Sequence, residues 1–254
     1  MRRVSKMLII ILLLVSSASI HAQLSRRNQI ELYSGFAFPQ NPQNFKDYWK
    51  VGLSINAQYV IFPTNRLGIP IFIGLEGFTV NNDAISNSFS DALEGFRIYD
   101  NNVTPVAQIT SASVETEGSA GDIKLGVGLR PYLTSSASSI QLFLFGNVSY
   151  NILSIKTEFK SATITLRDLN TSEVATASIT SEQLEAEEFN TVSEKSEGKL
   201  GMGLGIGMEI PAGGSINLIF QGMANVIFAN YEELRKSQEE EYISFIGLTF
   251  GIAF

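Results

Sequence analysis

Few side chains in this sequence can do chemistry at neutral pH, and their spacing narrows the possibilities further. The single histidine is His21, and cysteine is absent. Downstream of His21 there is no imidazole for a Ser-His-Asp relay, no His or Cys set for zinc, and no thiolate nucleophile. What remains is acid and base: Glu31, Glu76, Lys124, Arg130 and Glu209, each set among apolar residues of opposite parity. At a period of two these five point to the side of a strand away from its greasy face. An unpaired charge on an enclosed side is expensive, so the pattern points to ion pairs closing an interior rather than to a proton or solute pathway. Glu76 and Lys124 are expected to pair there.

The other chemical signals are weaker. Acids gather at Glu182, Glu185, Glu187 and Glu188 and again at Glu239, Glu240 and Glu241, but no D-x-[DN]-x-[DN]-G pattern accompanies them. Such runs are most often a solvated face, so neither a metal nor any other cofactor is expected. The glycine row Gly201-Met202-Gly203-Leu204-Gly205-Ile206-Gly207 has a period of two and no following GK[ST], which excludes a phosphate loop. A Ser-Lys or paired-carboxylate mechanism stays formally open, but the acids concentrate in loops, and no enzyme activity is expected.

The elements that must position these residues are strands. Ile246, Leu248, Phe250, Ile252 and Phe254 alternate with Gly247, Thr249, Gly251 and Ala253, one face greasy and the other small. Similar alternation predicts strands near 30–38, 49–61, 69–75, 123–130, 142–152, 200–210 and 216–228, eight in all with the last. Connections after the second, fourth and sixth are short, and those after the others longer, two of them by some forty residues (79–118 and 157–198). Residues 106–114 alternate weakly and are expected to extend a strand above the membrane, Ile164 and Leu166 show weak alternation within a polar stretch, and Ser181-Glu182-Gln183-Leu184 is expected to open a short helix. Trp49, the only Trp, is expected in a lipid-facing interfacial girdle, because neighbours of its parity face outward. Inside, Phe143 and Phe145 should lie beside Gly205 and Gly207, large against small.

No run of 18 apolar residues follows the amino end, so a chain with this alternation crosses a membrane, if at all, as a closed barrel. At the amino end, Arg2, Arg3 and Lys6 precede an apolar run over 7–15 and Ser19-Ile20-His21-Ala22. That is the pattern of a secretory signal peptide, so residues 1–22 are expected to be removed and 23–254 to form one barrel domain. The removed segment carries three cations and no acid, which deepens the net charge from −7 to −10. A chain this acidic is a poor nucleic-acid binder.

The alternating strands, the loop asymmetry and the final Phe254 resemble the small eight-stranded outer-membrane barrels of the OmpA and OmpX type, over essentially all of 30–254. No stretch follows the barrel that would match the periplasmic domain of the OmpA type. The resemblance implies an all-β, antiparallel, up-and-down transmembrane barrel with long extracellular loops, in the outer membrane of a Gram-negative-type bacterium. It further implies that the C-terminal strand and Phe254 are read by the barrel-assembly machinery, and that strands project beyond the membrane. Eight strands enclose a space that side chains fill. The expected role is therefore structural, with adhesion or partner binding at the surface loops. The alternative is a narrow-pore barrel that binds or transports a small or lipidic ligand. A secreted lipocalin-like barrel would need an apolar interior, against the parity of 200–210 and 242–254.

Overall fold

Residues whose side chains alternate between bulky apolar and small or polar satisfy two environments at once, and that requirement builds the molecule strand by strand. The computed structural model describes residues 27–100, 104–135, 138–213, 215–228 and 242–254. Residues 1–22, expected to be a signal peptide, and the acidic run at Glu239, Glu240 and Glu241 lie outside these. Among the described residues there are ten strands: β1 (Gln29–Asn41), β2 (Gly52–Thr64), β3 (Leu67–Thr79), β4 (Arg97–Asp100), β5 (Thr104–Pro131), β6 (Gln141–Asp168), β7 (Val174–Thr180), β8 (Val192–Gly213), β9 (Ile216–Ile227) and β10 (Ile243–Ala253). Within the described connections sit three helices: α1 (Gln43–Tyr48), α2 (Asn82–Leu93) and α3 (Ser181–Ala186).

Eight of these strands close into a ring in the order β1, β2, β3, β5, β6, β8, β9, β10, all pairings antiparallel. They are the eight that sequence periodicity predicts. The seam joins first strand to last, with Leu32 opposite Ile252 and Phe36 opposite Leu248. It is carried to the end of the chain by Ile30 and Phe254, which exchange backbone hydrogen bonds of 2.9 and 3.0 Å. Closure leaves no open edge in the membrane, where an unsatisfied backbone group costs several kcal/mol.

Outward side chains form a continuous apolar belt, including Leu53, Ile73, Leu125, Val148, Leu204 and Phe250. Leu204 is 70% exposed and Phe250 55%, so both point away from the barrel axis. From Leu200 to Ile210 the outward residues of β8 cover about 34 Å of strand at 3.4 Å per residue, which at a tilt of about 40° matches a hydrocarbon layer of about 25 Å. No helix among the described residues is long and apolar enough to cross a membrane, and the crossing is made by strands.

Above the belt, β5 and β6 continue as 28-residue strands. Their upper parts pair from Ala107↔Asp168 down to Gly118↔Thr157, while β4 adds to β5 and β7 adds to β6. The result is a four-stranded sheet projecting roughly 40 Å along the strand direction, at about 3.3 Å per residue over a dozen residues. It is buttressed by α2, where Asn82 Oδ1 accepts from the Thr116 backbone N–H at 2.8 Å and Ser86 Oγ from that of Val114 at 3.3 Å. At the sheet's far side α3 opens on a capping box, with Thr180 rather than Ser181 as its first residue and Gln183 reaching back.

Candidate functional site

Two charged clusters lie inside the barrel, one near each end, with aromatic layers beside them. The lower cluster is built from β1, β2, β5, β8 and β9. Arg130 and Glu31, both fully buried, meet through Nη1–Oε1 at 2.7 Å and Nη2–Oε2 at 2.9 Å. Glu31 also accepts from Gln29 Nε2 at 2.6 Å, from the Tyr33 hydroxyl and from Gln58 Nε2. The guanidinium plane lies over Phe143, 4.5 Å from the ring centroid, so the ion is stacked as well as paired. Glu209, also fully buried, accepts from the Tyr132 hydroxyl at 2.9 Å and from Asn217 Nδ2 at 2.6 Å.

These contacts sit within an apolar layer of Val60, Phe62, Phe72, Phe143, Phe145, Ile219 and Ala253. Phe143 faces Gly207 and Phe145 faces Gly205 across the β6–β8 ladder. A Cβ on Gly207 would run into the Phe143 ring, so the glycine is what admits the aromatic.

The upper cluster belongs to β2, β3, β5 and β6. Glu76 takes Lys124 Nζ on Oε1, and Ser54 Oγ donates to the same oxygen at 3.2 Å. Asp122 stands directly opposite Glu76 in the β3–β5 register and is 2% exposed. Asp122 is an ionisable lumen residue that periodicity alone does not mark, because it shares the parity of Lys124 but precedes Ile123, the first apolar residue of the alternating run. With the Asn151 amide turned so that its nitrogen faces Asp122, Nδ2 donates to Asp122 Oδ2 at 3.1 Å. Between the two clusters a cavity of ≈ 20 Å³ remains, bordered by Tyr33, Gln58, Phe72, Glu76, Lys124, Gln221 and others. That is room for about one water.

Trp49 corrects the sequence expectation. It is not in a lipid-facing girdle but 7% exposed inside the barrel mouth, packed with Phe45 of α1 at a ring distance of 6.0 Å. The parity argument failed because β2 begins only at Gly52. Trp49 is held instead by an isolated bridge to Val80, and the irregular residues between turn it inward. Phe45 in turn meets Phe78 edge-on at 5.0 Å, and Phe78 meets Phe245 at 5.7 Å. With Ala37, Val80, Leu153, Ile155, Ile227 and Ile243 these rings plug the extracellular mouth. Phe254 lies at the opposite end, half exposed on the outer face.

No family model matches the chain, and no curated protein matches it. Among solved structures, the chain is similar to Neisserial surface protein A (10% identity, 91% of this chain and 98% of that one, TM-score 0.44). A major outer membrane protein of Thermus thermophilus is similar at 12% identity, with coverage of 90% and 99% and a TM-score of 0.43. The outer membrane protein OprG of Pseudomonas aeruginosa is similar at 11% identity, with coverage of 90% and 97% and a TM-score of 0.41.

Proposed function

We propose that this eight-stranded transmembrane barrel is a closed outer-membrane protein that acts through its projecting sheet, as a surface for adhesion or partner binding. A secretory leader over 1–22 and recognition of β10 and Phe254 by the assembly machinery complete this reading. The observation that carries it is the occupation of the lumen at both levels: Arg130, Glu31, Phe143 and Tyr132 below, Phe45, Trp49 and Phe78 above. Solute passage would require breaking a fully buried bidentate ion pair, while the projecting sheet is freely accessible.

The sheet has the features of a contact surface. Phe96, Ile98, Tyr99, Val174, Ile179 and Phe189 are exposed on or beside it, well above the belt. Among the described residues β7 is paired on one side only, and Val174–Thr180 contains no charge to guard its free edge. A smaller observation favours the ligand-binding alternative. A cleft of ≈ 480 Å³ opens above the plug between Ile85, Thr116, Phe159 and Thr191, a volume in the range of small-molecule sites.

Residues 159–191 can be replaced by Asn-Gly, because Glu158 and Val192 are already register partners and a two-residue turn joins them. The shortened barrel should reach the outer membrane and keep its heat-modifiable gel mobility, while adhesion of cells bearing it falls to background. Stable single-channel conductance of the intact protein in planar bilayers, or undiminished adhesion of the shortened one, would overturn the proposal.

A further inference from the structure

The two charged clusters of the lumen have the same charge count, but their carboxylates differ in how far they are satisfied. Each sets two carboxylates against one base. In the lower one, each oxygen of Glu31 and Glu209 has a donor. In the upper one, Glu76 Oε2 and Asp122 Oδ1 have no hydrogen-bond partner at all, although the two residues are only 5% and 2% exposed. Glu76 borders the ≈ 20 Å³ cavity together with Gln221, whose Oε1 also lacks a partner. Lys124, the only base of the cluster, is engaged by the other oxygen of Glu76.

Like charges directly opposite each other on adjacent strands repel, and buried carboxylates are found paired or neutralised. Two unpartnered carboxylate oxygens on residues that face each other across the β3–β5 ladder, Glu76 beside a water-sized space, are thus short of one positive charge. Nothing in the cluster supplies it: among the described residues no group of three or more His, Cys, Asp or Glu exists that would suit a divalent ion.

We propose that the upper lumen binds one small monovalent cation between Glu76 and Asp122. The cation is delivered either as a proton shared by the two carboxyls or as an alkali ion completed by water. Both sources satisfy the same chemistry, a single positive charge on facing carboxylate oxygens. The site makes the barrel's upper half respond to the medium, although no solute passes through it.

The test is carbon NMR of the side-chain carboxyls of Glu76 and Asp122 in detergent micelles. One titration varies pH at constant sodium, and the other exchanges sodium for N-methylglucamine at constant pH and ionic strength. Movement of both signals with pH but not sodium identifies the proton, and movement with sodium identifies the alkali ion. In Asp122→Asn, which leaves Glu76 balanced by Lys124, either dependence should be lost. Two ionised carboxyls that follow neither variable from mildly acidic to mildly alkaline solution would overturn the proposal. The titrations of the unaltered protein decide this by themselves should the variant fail to fold.

Discussion

Arg130 and Glu31 stand 99 residues apart in the chain and on strands separated by two others, yet they form a bidentate pair with neither side chain exposed to solvent. The pair spans the lumen rather than a ladder, so it ties β5 to β1 from within, beside the seam where β1 meets β10. Tyr33, Gln29 and Gln58 fill the remaining acceptor positions of the carboxylate. Such a group is costly to break from one side only.

Arg130→Met should therefore destabilise the barrel by about 3–5 kcal/mol, because it strands the Glu31 carboxylate among aromatic rings. Adding Glu31→Gln to that variant should recover a large part of the loss, since the uncompensated charge is gone. Urea unfolding in lipid vesicles, followed by gel mobility, gives both values. Equal losses in the single and double variants would show that packing of the Arg130 stem and its stacking on Phe143, rather than charge, holds this end together.

The fit of Phe143 against Gly207 makes a second expectation. A methyl group on Gly207 would meet the Phe143 ring and also the Phe220 carbonyl oxygen at 2.8 Å, so Gly207→Ala should cost about 1–3 kcal/mol through overpacking. Phe143→Leu in the same chain frees the ring side of that contact and should restore part of the loss. An additive pair of effects would mean that the backbone contact alone sets the penalty.

These two relationships differ in how far the sequence announces them. The eight spanning strands are legible because lipid on one side and a crowded lumen on the other impose a strict period of two, and a row such as Gly201, Gly203, Gly205 and Gly207 has no helical reading. Phe143 beside Gly207 follows from that alternation once β6 and β8 are paired through their loop. Arg130 with Glu31 does not, since a contact across the lumen depends on barrel shear and on which inward residues share a level. The helices α1 and α2 are hidden for another reason. α1 is a six-residue stretch, QNFKDY, and α2 is rich in Asn, Ser and Asp, and their helical conformation rests on docking to β1 and β5 more than on an apolar stripe. Trp49 shows the limit of parity itself, which holds only while the strand stays regular.

Trp49 is the only tryptophan, so its emission reports on the mouth plug alone. Buried against Phe45, it should fluoresce at short wavelength and resist quenching both by aqueous acrylamide and by brominated acyl chains. A girdle tryptophan would be quenched strongly by the lipid. Phe45→Ala should admit acrylamide, because that ring also meets Phe78 and helps cover the indole.

The tip of the projecting sheet carries a pH dependence of its own. Asp168 Oδ1 accepts from the backbone N–H groups of Thr171 at 2.8 Å and Asn170 at 2.7 Å, and these bonds, Thr171 foremost, hold its carboxyl below the ordinary aspartate value of 3.8. A depressed value means that the folded turn binds its proton less readily than the unfolded one. Its contribution is therefore complete above the ordinary value and is lost as pH falls through the lowered one. The turn is solvent-exposed, so the effect is local rather than global. Amide exchange of Asn170 and Thr171 should speed up, relative to intrinsic rates, only in that acidic window. Asp168→Asn, which retains the acceptor oxygen but cannot ionise, should abolish the dependence while leaving β6 and β7 paired. An Asp168 carboxyl that titrates at the ordinary value would show that these two N–H groups do not hold the turn.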